Sequence, residues 1–378
     1  QLSGLSAHYT VLIPPGYNQF MVKKLSRRQF LQLGGYTFAG AALQPYLNGI
    51  IDRWNDETGR VIRVARDQLS VYKKPSDESE ILYQRYRDEL VNVYYSLVSK
   101  DGPGYNPVWY RVWGGYIHSG YTVEVETKLN PILYSFPETG LLTEITVPYT
   151  QSWYYTSFDG WQPIYRLYYG STHWVRDIDE GPDGEPWYKI EDEAASSYVY
   201  FVPAQHLRAI PDDELTPISP DVPPEDKLIE VSIANQSLTA YENGVPVLQT
   251  IISSGLPHAN LPGQIPTDTP KGDDFHISSK MPSKHMGNGH LLPDSKDTYG
   301  NPFYEYEIPG VPWTTFFEPE TGVAFHGTYW HTNFGITMSH GCVNMRTEEA
   351  KWIFRWTTPV WHSSVWEERG YGTRVIVH

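Results

Sequence analysis

One cysteine occurs in the 378-residue chain, Cys342, and it lies in the string Ser339-His340-Gly341-Cys342-Val343-Asn344, with His326-Gly327 shortly upstream. A thiol with two histidines close in sequence has the parts for covalent catalysis. The thiolate is the nucleophile, and an imidazole either generates it or stabilises it as an ion pair. Ser, His, Gly and Asn are poor core formers, so the string does not read as the surroundings of an inert buried cysteine. His326, His331, His340 and Cys342 are also a conceivable zinc set. Their spacing matches none of the paired Cys-x-x-Cys or His-x-x-x-His arrangements of such sites, so neither metal nor cofactor is expected. His331 reads as a cleft-lining or surface residue.

The string Ser-His-Gly-Cys-Val-Asn preceded by His-Gly resembles the signature of the YkuD-type L,D-transpeptidases, cysteine enzymes that cross-link peptidoglycan. The similarity extends from about Lys227 to His378, through Ile229 to Leu238, Thr269-Pro270-Lys271-Gly272 and Lys280 to Met286. Two features depart from the pattern. Twelve residues separate His326 from Ser339, slightly fewer than in the family, and Phe275 follows the Thr-Pro-x-Gly stretch one residue late. The shorter segment bears on the shape of the cleft more than on the chemistry.

What the resemblance implies can be stated residue by residue. Cys342 attacks an amide carbonyl and forms a thioester, and His326 is the base that also protonates the leaving amine. The Gly327 carbonyl orients His326, and His340 supports the thiolate or, alternatively, braces the loop. The backbone N–H groups of Gly341 and Cys342 are the expected oxyanion donors. Ser339, Asn344, Tyr329 and Trp330 are expected on the substrate side, with Asn344 equally readable as a loop-fixing amide. His285 falls in a segment the family places near the cleft. An enzyme of this kind predicts a low-pKa thiolate, whereas a vestigial site predicts an ordinary thiol.

These groups need a frame. A short helix is expected after the cysteine loop, with Thr347 as N-cap, Glu348 and Glu349 at the positive end of its dipole, and Trp352, Ile353 and Trp356 on one face. Pro359 stops it. Cys342 then sits on a loop between a strand carrying His326 and a packed helix. Twenty-nine Tyr, thirteen Trp, thirty Pro and thirty-one Gly favour strands and turns throughout. The fold class expected is mainly β: a YkuD-like β-sandwich over residues 226–378, preceded by two small SH3-like barrels.

Those modules are expected at 60–125 and 126–210. Each carries a strand before a Pro-containing loop, a Trp-Tyr-Arg/Lys-Val/Ile segment (Trp109 to Val112; Trp187 to Ile190) and an aromatic-aliphatic strand. The second is expected to begin near Lys128 to Tyr134. Such modules bind wall peptide or glycan, or serve only as spacers. Trp153, Tyr154, Tyr155 and Trp161 suit either sugar stacking or a core. Residues 211–225, proline-rich and acidic, read as an extended linker that holds the last domain away without fixing its orientation.

Residues 21–45 resemble a twin-arginine export signal, with Arg27-Arg28, then Phe30-Leu31 and a moderately apolar stretch through Leu43. The stretch is too short and glycine-rich to span a membrane, and Ala39-Gly40-Ala41 is a plausible cleavage site. Residues 1–20 are then upstream sequence. Net charge is −15 with no basic block beyond the signal, which argues against nucleic acid and anionic membrane as partners.

The expectation is an exported L,D-transpeptidase, located at the wall or the outer side of the cytoplasmic membrane, taking peptidoglycan stem tetrapeptides. The alternatives are an L,D-carboxypeptidase that hands the same thioester to water, and a non-catalytic wall-binding protein. A sortase-like reading lacks the separate Cys…Arg arrangement, and an NlpC/P60-type peptidase would carry Cys before His.

Overall fold

Alternating buried and half-buried positions along Lys227–Ser232 and Ser237–Glu242 mark strands with one face on a core. In the computed structural model they pair antiparallel around a turn where Gln236 adopts a positive φ of 48°. The structure describes residues 59–193, 199–257, 267–287 and 307–378. The export-signal expectation, residues 21–45, and the upstream residues 1–20 lie outside them.

Residues 227–378 form two five-stranded sheets. The first runs Val245–Ile251, Ser237–Glu242, Lys227–Ser232, Arg374–Val377, Gly272–His276. The second runs Val343–Met345, Val323–Gly327, Ile308–Glu318, Ser279–Met286, Glu368–Arg369. Ile229, Val231, Leu238 and Ala240 from one sheet join Phe317, Phe325, Val343 and Met345 from the other in a common core. The helix Thr347–Trp356 closes this core with Ala350, Ile353, Phe354 and Trp356. It is the one α-helix among the described residues. Its N-cap is Arg346, not Thr347, and no side chain caps it. Thr347 instead begins the helix. Trp352 is only half-buried and stacks on Trp356 at 5.3 Å. The helix stops at Trp356, ahead of Pro359.

The described upstream residues are β-rich and fit small barrel-like modules. Residues 60–125 hold a three-stranded and a five-stranded sheet around one core that includes Ile62, Val64, Val71, Val108, Val112 and Ile117. A seven-stranded sheet spans Leu141 to Ala209 around Ile145, Leu167, Val175, Tyr188, Ile190 and Val202. Its first strand is Leu141–Ile145. Lys128 to Tyr134, expected as a strand, is irregular chain: Asn130 ties it down by donating to Thr146 Oγ1 (2.6 Å) and to the Gln205 carbonyl (3.2 Å). Trp161 packs edge-on against Tyr155 and Phe201, so it serves the sheet, while Tyr155 stays exposed.

The sheets are not beads on a string. Leu142, Trp174 and Ile210 belong to the core of residues 227–378, and Trp174 stacks on Trp366 at 5.6 Å and 8°. Such a pair contributes about 0.5–1.5 kcal/mol beyond its buried area. The acidic, proline-rich stretch is docked, contrary to the freely oriented arm expected of it. Leu215 and Ile218 pack on the C-terminal core, and Ile218 N–H donates to the Arg355 carbonyl (3.1 Å). Glu214 pairs with both Arg208 and Lys351, each at 2.5 Å. Composition shows that the stretch cannot build a core. It does not show that two apolar side chains and one carboxylate find partners on a neighbour.

Candidate active site

Alternation along two parallel strands selects the site residues. Phe325 pairs with Val343, His326 with Asn344, and Gly327 with Met345. Phe325, Val343 and Met345 face the core, so His326 and Asn344 point to the sheet's opposite face. Cys342 immediately precedes the second strand, with its Sγ 3.9 Å from the Gly322 carbonyl oxygen. At roughly 4.8 Å between strands and 3.3 Å per residue it lies diagonally about 8 Å from His326, Cα to Cα.

His326 is 2 % exposed, and its Nδ1 lies 3.0 Å from the Gly327 carbonyl oxygen. A carbonyl only accepts, so Nδ1 carries the proton and Nε2 keeps a free lone pair. Burial pushes the imidazole down to about 4, with the Gly327 carbonyl opposing. Burial pushes the Cys342 thiol up to about 11, against a backbone contact from Ala324. Both groups are therefore neutral near pH 7. The low-pKa thiolate expected from sequence is not what this environment favours, because desolvation outweighs the backbone contact that stabilises the anion.

The cysteine loop is held by its own atoms and by one neighbour. Ser339 Oγ donates to the Cys342 carbonyl and accepts the Gly341 N–H at 3.3 Å. Ser339 is thus a brace, not a substrate contact, and the Gly341 N–H is turned into the loop in place of serving as an open oxyanion donor. Gly341 has φ +117°, and an added Cβ would meet Val323 Cγ2 at 3.3 Å, so the turn requires glycine. Thr269, from the Thr-Pro-Lys-Gly stretch, donates to the Gly341 carbonyl (2.7 Å) and accepts the Gly255 N–H (2.8 Å). That stretch earns its place in the motif by bracing the cysteine loop. His340 is exposed on the loop's surface.

The segment from Tyr329 to Met338 covers the same face. Trp330, half-buried, lies over His326 with ring centres 5.7 Å apart. Tyr329, expected to touch substrate, is 4 % exposed and donates its hydroxyl to the Pro309 carbonyl (2.7 Å), so it is a packing residue. His331, expected at a surface or cleft wall, is 1 % exposed. Its Nδ1 accepts the Asn333 N–H (3.1 Å), and its Nε2 lies 3.0 Å from the Asn344 side-chain amide nitrogen. Burial, with His326 nearby, pushes His331 down to about 3. A neutral ring whose Nδ1 accepts must carry its proton on Nε2, which would set two donors against each other. Turning the Asn344 amide end for end resolves this, and also the buried Asn344 Oδ1 that otherwise has no partner. His331, read from sequence as a cleft-lining or surface residue, is a buried one bonded to Asn344. The signal for this was its position inside the His326–Ser339 interval.

His285 is not at this site. Its Nδ1 lies 2.8 Å from Asp192 and its Nε2 bonds Glu307, between the middle sheet and the C-terminal sandwich. Burial opposes its charge, but the two carboxylates outweigh it and raise its pKa. Among the described residues no three His, Cys, Asp or Glu side chains converge as a metal site, and no helix is long and apolar enough to cross a membrane.

Residues 226–377 match the family model of the L,D-transpeptidase catalytic domain, YkuD. This part of the chain is an L,D-transpeptidase-type catalytic domain. Similar solved structures include an Enterococcus faecium L,D-transpeptidase, 28 % identical over 40 % of this chain and 50 % of that one, with a TM-score of 0.28. The catalytic domain of an E. faecium L,D-transpeptidase, solved by NMR, is 28 % identical over 41 % of this chain and 98 % of that one, with a TM-score of 0.27. L,D-transpeptidase 3 of Mycobacterium tuberculosis, in complex with a faropenem-derived adduct, is 19 % identical over 48 % and 73 %, with a TM-score of 0.29. The chain thus spans about half the length of the first of these enzymes. No curated protein matches the chain.

Proposed function

We propose that the protein is an exported cysteine L,D-transpeptidase that acts on peptidoglycan stem tetrapeptides. What supports this is the pairing of the His326 and Asn344 strands, with a buried, tautomer-fixed imidazole on one and the chain's one thiol directly preceding the other. In the reaction, Cys342 Sγ attacks the carbonyl joining the third stem residue to the terminal D-Ala while His326 Nε2 takes the thiol proton. The tetrahedral intermediate collapses, the C–N bond breaks, and His326 returns that proton to the departing amine of D-Ala. An amine of a second stem or a protein then attacks the thioester, and His326 passes the amine's proton to the leaving thiolate.

Two neutral partners suit this order of events, since proton transfer accompanies attack and no resting ion pair is needed. Trp330 shields the imidazole from water. Residues 60–125 and 126–210 are read as SH3-like modules that bind wall peptide or glycan or serve as spacers. Intact-protein mass spectrometry with a disaccharide-tetrapeptide tests the reading. A mass gain equal to the donor minus D-Ala, absent in Cys342→Ala, supports it. Release of D-Ala with only water as acceptor favours the carboxypeptidase reading. A folded protein that forms no adduct with either stem peptide or carbapenem overturns both.

A further inference from the structure

The segment between His326 and Ser339 is held from outside the sandwich. Arg63, on the first described strand (Arg60–Val64), is 2 % exposed, and its Nη2 donates to the Tyr329 carbonyl at 2.8 Å. The guanidinium also pairs with Asp88 at 3.0 Å and lies over the Tyr168 ring at 4.1 Å, so it is fixed on three sides. Three residues on, Thr332 grips the turn Ser119–Tyr121. Its N–H donates to the Gly120 carbonyl (3.0 Å), and its Oγ1 lies 2.8 Å from the Ser119 carbonyl and 3.2 Å from that of Thr122. A Cβ on Gly120 would sit 2.3 Å from Asn333 Oδ1, so the Asn333 side chain would have to move. Between these two grips stands His331, bonded to Asn344.

We propose that the first β-unit, residues 60–125, is a working part of the catalytic centre. Arg63 and the Ser119–Thr122 turn fix the Tyr329–Asn333 segment, and that segment fixes Trp330 over His326 and His331 against Asn344. Arg63, Thr332 and His331 are positioning residues. They act through the segment and do not touch the reacting atoms. The unit therefore does more than bind wall or space the domains, and its contact with the segment sets turnover. The inference deepens the transpeptidase reading and rests on it for its activity readout only.

The test uses the full chain with Thr332→Val, which keeps shape and removes the hydroxyl, Thr332→Ser, which restores it, and Gly120→Ala, whose methyl displaces Asn333. Displacement of a catalytic frame by about an ångström costs up to about a hundredfold. The expected result is a fall in kcat of about tenfold for Thr332→Val and Gly120→Ala, with KM nearly unchanged, and recovery in Thr332→Ser. A second readout needs no substrate. Cys342 is the chain's one thiol, so its iodoacetamide alkylation rate against pH should shift in the first two variants and return in the third. Folded Thr332→Val and Gly120→Ala proteins with wild-type kcat and alkylation profiles would overturn the proposal. A wild type that releases no D-Ala would sink the transpeptidase reading alone, and the alkylation comparison would then decide this one.

Discussion

The Gly327 carbonyl oxygen and His326 Nδ1 stand 3.0 Å apart, so the residue after the imidazole decides which of its nitrogens can take a proton. The consequence shows in pH behaviour. With the thiol up near 11 and the imidazole down near 4, both by burial, the free enzyme holds a neutral pair across the physiological range.

Alkylation of Cys342 by iodoacetamide should therefore rise about tenfold per pH unit through pH 9 with no plateau below it. A plateau below pH 8 would reveal a resting ion pair. His326→Gln should lower acyl transfer by about 10²–10⁴-fold, the usual share of a general base.

Acid should loosen the fold through the same burial. His326, His331 and His173 are held neutral, with pKa values down to about 4, 3 and 4. Between pH 6.5 and those values the unfolded chain binds protons that the native one refuses, so stability falls as pH drops through that window. A shift of one pKa unit corresponds to about 1.4 kcal/mol. His285 works the other way: its raised pKa gives stability that is complete below 6.5 and lost as pH rises through its folded value. Denaturant midpoints at pH 7, 5.5 and 4.5 should decline in that order. A constant midpoint would show that the three rings are not buried neutral.

Gly341→Ala should abolish turnover without unfolding the protein. The backbone there has φ +117° and Val323 Cγ2 stands 3.3 Å from where the methyl would go, so the loop must change shape to accept it. Ser339→Ala should cost less, about tenfold in kcat, because it removes the hydroxyl tie between the Gly341 N–H and the Cys342 carbonyl. Steady-state D-Ala release with thermal melts separates the two. Equal activity in Ser339→Ala would show that the tie does not position Cys342.

Glu214→Gln should lower the melting temperature by a few degrees, since a partly exposed carboxylate shared by Arg208 and Lys351 is worth about 1 kcal/mol. Its pKa is held down to about 2, chiefly by the Arg208 hydrogen bond. The contribution is present above pH 4.5 and lost as pH falls toward 2, so wild type and variant should converge in acid.

The sandwich and its cysteine loop were legible because their residue types are rarely assembled for any other reason. The run from Thr347 located the helix, though not its N-cap, and the Ser-His-Gly-Cys string located the loop before Val343–Met345. What stayed hidden depended on partners far along the chain. The Ser339 hydroxyl looked available until the Cys342 carbonyl took it. Tyr329 looked like a cleft aromatic until Pro309 and Arg63 fixed it at both ends. His331 and His285 carry no local pattern that distinguishes a buried imidazole from a surface one, and their partners lie on other strands. The 211–225 stretch misled because proline content reports stiffness, while docking depends on Leu215, Ile218 and Glu214 one by one.

The shared core has a practical side. Because Leu142, Trp174 and Ile210 complete the packing of residues 227–378, a fragment cut at residue 226 would present Trp361 and Trp366 to solvent. Such a fragment would be sticky in solution and prone to self-association, so preparations of the catalytic part alone would report on a different particle from the full chain.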